Sequence, residues 1–261
     1  MRLTRLHNSF DCEGAQLVGT LDQAAGTTGL LIVSGGNELR SGAWAGQAQL
    51  AARVASAGHP VFRFDRRGIG DSEGTNAGFR GSLPDIRAAL TAFRASAPQV
   101  IRIIAFGNCD AATALVLGAP ELDVAGLVLA NPWTIDGYEA PEALSATAVR
   151  SRYLAKLANP REVWRLLSGG VDLRKLAGGL RSATSVAAPK SPLVDTMLAR
   201  CNAVAVPLQV LLASRDRTAQ MFIEAWPKGD DRVRTIDSGS HSFSDDAARE
   251  WLFERLLAAL V

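Results

Sequence analysis

Residues 101–118 read Ile-Arg-Ile-Ile-Ala-Phe-Gly-Asn-Cys-Asp-Ala-Ala-Thr-Ala-Leu-Val-Leu-Gly. The opening run is short, apolar and rich in isoleucine, which suits a buried strand. The closing run, Ala112 to Leu117, is rich in alanine and leucine and suits a helix. Between them stands Gly107-Asn108-Cys109-Asp110-Ala111, with small residues two before and two after the cysteine. That spacing predicts a sharp strand-to-helix turn whose central residue is held in a strained conformation, where bulkier neighbours would clash. A side chain presented in this way is a candidate nucleophile, in a G-x-S-x-G arrangement with cysteine for serine and alanine for the last glycine.

The pattern around this stretch repeats it. Residues 1–22 alternate loosely between apolar and polar and predict an antiparallel hairpin. Further strands are expected at Leu30–Val33, Pro60–Phe64, Val124–Ala130, Pro207–Ala213 and Val233–Ile236. Helices are expected at Ala45–Ala57 before Gly58, at Leu83–Ala95 with Pro84 in its first turn, and at Arg249–Leu260. Alternation of this kind predicts an α/β fold, a mostly parallel sheet with helices on both faces. Residues 132–202 break the pattern: strand-length apolar runs vanish and helical stretches such as Ser145–Leu157 and Arg161–Leu167 take over. The expectation is a core formed by 1–131 and 203–261, with 132–202 inserted as a helical cap. Ten Lys/Arg against four acidic residues over 141–200 make that cap basic.

Composition narrows the function. With 261 residues, 48% of them hydrophobic, the chain can bury one large core, and a net charge of +2 argues against a dedicated nucleic-acid binder. No apolar run reaches membrane-spanning length, and the N-terminus lacks the apolar centre of a secretion signal. Three widely spaced cysteines (Cys12, Cys109, Cys201) fit free thiols in a reducing cytoplasm better than disulfides or a zinc site. No cofactor or metal is expected.

A cysteine nucleophile needs a base, an acid to orient it and donors for the developing oxyanion. In a parallel sheet all of these sit at the C-terminal ends of strands. Of the three histidines, His7 lies in the N-terminal region and His59 precedes its strand, at the wrong end of the sheet; His241 follows the last strand and is the expected base. Asp216, after the strand ending at Ala213, is the expected acid, with Asp136 as the fallback and Asp237 as a weaker third choice. Ser34-Gly35-Gly36-Asn37 is the expected oxyanion loop, with the Gly36 N–H as first donor and Asn37 as the alternative. The Asp110 N–H, at the start of the helix, is the expected second donor. The Asp110 carboxylate would oppose a thiolate next to it, so it is expected to point away or toward the cap or substrate.

With these residues placed, the chain resembles the α/β-hydrolase superfamily over nearly its full length. Asp65-Arg66-Arg67-Gly68-Ile69-Gly70-Asp71-Ser72 matches that superfamily's D-x-R-G-x-G-x-S segment, with the elbow about 40 residues on. More narrowly, Val33-Ser34-Gly35-Gly36, Phe64 to Gly74 and Asn108-Cys109-Asp110 resemble the type 1 exosortase A system-associated hydrolases of bacterial exopolysaccharide loci. The resemblance implies a Cys109–His241–Asp216 triad acting on an ester, thioester or related acyl bond through a thioacyl-enzyme. The alternatives are an acyltransferase using the same cysteine and a non-catalytic accessory protein on a hydrolase scaffold. The expected partner is a small acyl substrate, acidic or carbohydrate-linked if the basic cap selects it, with neither nucleic acid nor an integral membrane span involved.

Overall fold

A computed structural model describes residues 4–136 and 191–261. The hairpin β1 (Arg5–Cys12) and β2 (Ala15–Asp22) is followed by β3 (Thr28–Val33), α1 (Gly46–Ser56), β4 (Val61–Phe64) and α2 (Leu83–Ser96). Next come β5 (Arg102–Asn108), α3 (Asp110–Gly118) and β6 (Gly126–Ala130). After the undescribed residues the chain continues with α4 (Pro192–Ala203), β7 (Leu208–Ala213), α5 (Arg217–Ala225), β8 (Val233–Ile236) and α6 (Asp246–Leu260). The strands form one sheet in the order β1-β2-β4-β3-β5-β6-β7-β8. Only the β1–β2 and β2–β4 pairings are antiparallel; the other five are parallel.

The six residues of β3 and the five of β6 are all buried, as apolar runs covered on both faces must be. One face packs against α2, α3, α4 and α5 through side chains such as Phe93, Leu115, Met197 and Phe222. The other packs against α1 and α6, where Val54, Leu252, Leu256 and Leu260 cover Ile32, Phe106 and Val128. The buried residues of α6 are Ala248, Leu252, Leu256 and Leu260, a single stripe four residues apart. Asp245 caps that helix by accepting from the Ala248 N–H at 3.0 Å.

The connections fix where a site can be. From β3 the chain moves outward to β4, then crosses back over β3 to enter β5. The C-terminal ends of β3 and β5 therefore flank the switch in strand order, where open parallel sheets leave a crevice. The loops at that crevice are Ser34–Asn37 and the turn into α3.

The expected cap helices Ser145–Leu157 and Arg161–Leu167 lie outside the described residues. The described chain resumes next to where it breaks off, because Ser191 Oγ donates to the Thr134 carbonyl at 2.9 Å. Helix α4 puts Leu193, Val194, Met197 and Cys201 into the main core, so the expected boundary at 202 falls inside a helix that packs on the sheet. Among the described residues, no helix is long and apolar enough to cross a membrane.

Candidate active site

Cys109 sits between β5 and α3 with φ 61 and ψ −127, a conformation L-residues adopt only at a cost of about 1–3 kcal/mol. Two contacts force it. A Cβ on Gly107 would lie 2.8 Å from the Ala111 carbonyl carbon, so strand and helix can approach this closely only with glycine there. The Cys109 N–H donates to the Ala130 carbonyl at 2.9 Å, extending the β5–β6 pairing up to the turn. The thiol is thereby lifted above the sheet while the chain turns into the helix.

His241 follows β8, and its Nδ1 lies 3.0 Å from Asp216 Oδ2. The same carboxylate oxygen caps α5 by accepting from the Ala219 N–H at 3.0 Å, so Asp216 is held by its own helix before it meets the imidazole. Burial disfavours a charged His241, but hydrogen bonds to Asp216 and to Cys109, together with their charges, outweigh it and push the imidazole from 6.5 up to about 10. The structure thus brings Cys109, His241 and Asp216 together. Asp136 instead pairs with Arg80, and the exposed Asp237 pairs with Arg215 at 2.8 Å; neither meets the imidazole.

The raised imidazole has a consequence for stability. A folded-state pKa above the unfolded value contributes stability that is complete below about pH 6.5 and is lost as the pH rises toward about 10. Urea unfolding from pH 6 to 10 is therefore expected to show a decline in the native chain that a His241→Gln variant lacks. Parallel profiles would refute it.

The His241 loop is held from below by two asparagines, Asn108 of the elbow motif and Asn131, to which motif reading gave no such role. Asn108 Nδ2 donates to the His241 carbonyl at 3.1 Å, and Asn131 Nδ2 donates to the same oxygen at 3.0 Å. Asn131 is fully buried, has φ 40, and accepts from the Ala213 N–H at 2.9 Å through its other side-chain atom. One amide thus joins the ends of β6 and β7 to the histidine loop. Asn131→Ala would leave the buried Ala213 N–H without its acceptor, at about 1–3 kcal/mol, while the His241 carbonyl keeps only Asn108. Chemical denaturation is expected to show a loss of about 2 kcal/mol or more.

The loop after β3 packs against the elbow. A Cβ on Gly35 would meet the Asn108 carbonyl at 2.5 Å and Cys109 Cβ at 3.3 Å. The expectation for Asp110 requires correction: its carboxylate is buried and turns toward this loop, where Oδ1 accepts from the Gly36 N–H at 2.6 Å. Arg66, also buried, completes the contact. Its Nη2 donates to the Gly36 carbonyl at 2.6 Å and lies 3.3 Å from Asp110 Oδ2, while its Nη1 donates to Ser82 Oγ at 2.8 Å. The Gly36 N–H therefore already has an acceptor, which moves the choice of loop donor toward Asn37. Asn37 itself is exposed, and its Oδ1 accepts from Asn76 Nδ2 at 2.9 Å. Arg66 escaped the sequence reading because it occupies a variable position of the D-x-R-G-x-G-x-S segment. The segment's own residues hold a loop: Arg67 bonds Asp85 at 2.5 Å, and Ser72 Oγ donates to the Asp65 carbonyl at 2.7 Å.

A family model described as the alpha/beta hydrolase family matches residues 30–255. The chain belongs to that family. Solved structures agree on the fold. The α/β hydrolase GrgF from Penicillium sp. sh18 has a TM-score of 0.63 at 17% identity, covering 99% of this chain and 98% of that one. An esterase of Pyrococcus furiosus has a TM-score of 0.59 at 17% identity, covering 97% and 89%. A thioesterase domain from the curacin biosynthetic pathway has a TM-score of 0.57 at 13% identity, covering 97% and 99%. No curated protein matches the sequence. In this hydrolase the three residues brought together lie on the loops after β5, β7 and β8, and the glycine loop follows β3.

Proposed function

We propose that this hydrolase cleaves an ester, thioester or related acyl bond through Cys109 as nucleophile, His241 as base and Asp216 as the orienting acid. The observation that carries the reading is the imidazole held between Asp216, at 3.0 Å, and a cysteine lifted out of the sheet at φ 61. At neutral pH the proton of the Cys109–His241 pair rests on the His241 nitrogen not engaged by Asp216, and the imidazolium is stabilised by that carboxylate. The thiolate adds to the carbonyl carbon. The oxyanion is held by the Asp110 N–H at the start of α3 and by an N–H of the Gly36–Asn37 turn, with Asn37 the donor not committed to Asp110. Collapse expels the alcohol or thiol with the proton from His241, leaving a thioacyl-enzyme. His241 then deprotonates water, which attacks the thioester carbonyl and frees the acid and the thiol.

The names of two structural neighbours, an esterase and a thioesterase domain, are compatible with this substrate class. The resemblance of the Val33–Gly36, Phe64–Gly74 and Asn108–Asp110 segments to exosortase-associated hydrolases extends the proposal to a role beside exopolysaccharide systems. The test is trapping. Incubation with nitrophenyl esters and acyl thioesters, followed by intact-mass analysis and peptide mapping, is expected to give one acyl adduct, on Cys109. No adduct from any donor, together with a thiol that resists alkylation, would overturn the assignment.

A further inference from the structure

The sheet is open at both ends, and its two outer strands differ. Strand β1 has eight residues and is bonded to β2 alone. Its register runs without a bulge from Arg5 opposite Asp22 to Cys12 opposite Ala15, and the Gln23 N–H donates to the Thr4 carbonyl at 2.9 Å. Antiparallel alternation then turns the peptide groups of Thr4, Leu6, Asn8, Phe10 and Cys12 toward β2, and those of Arg5, His7, Ser9 and Asp11 outward. These last four residues are exposed, and among the described residues no backbone group bonds their outward N–H and C=O groups. The strand carries neither proline nor lysine, residues that discourage edge-to-edge pairing.

A second β1 laid antiparallel along this edge can hydrogen-bond only where outward residues meet outward residues. The register that engages all of them sets Arg5 opposite Asp11, Leu6 opposite Phe10 and His7 opposite Ser9, each twice, with Asn8 facing itself on the two-fold axis. The outward pairs then exchange about eight N–H···O bonds. The side chains match in the same register. Asp11 pairs with no cation among the described residues, whereas Arg5, on the same face, shares Asp22 with Arg63 at 2.6 and 3.1 Å. Leu6 is 41% exposed, and the facing Phe10 is backed by Phe62 and Phe64, with ring centroids 5.9 and 6.3 Å away. Leu6 and Phe10 form a non-hydrogen-bonded pair, the kind that brings side chains closest.

The other edge, β8, fails the same comparison. The Val210 N–H donates to the Arg232 carbonyl and the Ser214 N–H to the Ile236 carbonyl, both at 2.9 Å, so Val233 and Thr235 face outward. Pairing both with a second β8 sets Arg234 directly against itself, like charge on like.

We propose that the protein is a two-fold homodimer in which β1 of one protomer pairs antiparallel with β1 of its partner in this register, joining two eight-stranded sheets into one. The occupant of the edge is a second copy because the strand is complementary to itself. The inference is independent of the role of Cys109.

Sedimentation velocity from about 1 to about 100 μM, which spans dimers of micromolar Kd, is expected to show a dimer. Asp11→Arg sets an arginine against Arg5 at both ends and is expected to weaken dimerisation at least about ten-fold. Ser9→Pro removes an outward N–H but no bond to β2, and is expected to give a monomer with a native circular dichroism spectrum. Asn8→Cys reads the register. Oxidation by copper phenanthroline is expected to link it across the axis, since directly opposed non-hydrogen-bonded residues have Cα atoms about 4.5 Å apart. Ser9→Cys is expected to resist linking, because its two copies lie on a diagonal about 7–8 Å apart. Both are read in a Cys109→Ala background, the other two cysteines being buried. A monomer throughout the range overturns the proposal. So does a dimer undiminished by Asp11→Arg, or a cross-link at position 9 and not at position 8. If Ser9→Pro does not fold, Asp11→Arg, at an exposed position, still decides.

Discussion

A Cys109→Gly variant is expected to lose acyl-adduct formation altogether, to lower turnover by about 10⁴-fold or more, and to become more stable. The first two effects follow from removing the attacking sulfur, since the loss of a nucleophile removes a step that the remaining residues cannot replace. The third separates a functional elbow from an inert turn. Cys109 holds φ 61 and ψ −127 because Gly107 lets Ala111 approach and because its own N–H is tied to Ala130. Glycine adopts that conformation without the clash of a Cβ. Relief of about 1–3 kcal/mol of strain, less the extra freedom glycine gives the unfolded chain, leaves a net gain of about 1 kcal/mol. Cys109→Ala keeps the strain and removes the sulfur, so it is expected to be equally inactive without the gain. Activity surviving in both variants would place the nucleophile elsewhere.

An Asp110→Ala variant is expected to lose about 100- to 1,000-fold in acylation by esters while its Cys109 is alkylated by iodoacetamide at nearly the native rate. The two reactions share a thiolate and differ in one requirement: acylation builds charge on a carbonyl oxygen, whereas alkylation, a displacement at carbon, does not. Removing one oxyanion donor typically costs about that factor. The Asp110 side chain does not touch the substrate in this scheme; only its backbone N–H does. It positions the loop, holding the Gly36 N–H at 2.6 Å while Arg66 grips the Gly36 carbonyl at 2.6 Å. Without the carboxylate, Arg66 is a buried charge short of its partner, a change that costs about 3–5 kcal/mol. Rates must therefore be compared at a temperature where circular dichroism shows both chains folded. Asp110→Asn keeps an oxygen acceptor for the Gly36 N–H and is expected to fall between the two. If alkylation drops in step with acylation in both variants, the effect lies in the thiol and not in the oxyanion loop.

Much of this molecule is legible in its sequence. The strand at 101–106 and the helix after it follow from local preferences and burial, which are written residue by residue. The expected strands Leu30–Val33, Pro60–Phe64, Val124–Ala130 and Pro207–Ala213 are observed with shifts of one or two residues at their ends. Alternation of strand and helix then implied a parallel sheet, and a parallel sheet places every strand's C-terminal end on one edge. That rule put Cys109, Asp216 and His241 on one edge without knowledge of their neighbours, and the 3.0 Å contact between His241 and Asp216 lies where chain order placed it.

What the tertiary structure decided is which groups those residues meet. Asp110 and Gly36 are 74 residues apart, Asn131 and His241 are 110 apart, and Trp44 and Ser242 are 198 apart. Each contact depends on the rotamer of one polar side chain and on the approach of two loops, to which local propensity and hydrophobic periodicity are blind. The sequence by itself determined the fold and the chain order of the candidate nucleophile, acid and base, because those depend on repeated apolar patterns and strand direction. Only the folded structure decided that the Asp110 carboxylate takes the Gly36 N–H, that Arg66 braces it, and that two asparagines hold the histidine loop. Those are buried polar contacts, made where separate loops converge and each group must find a partner away from water.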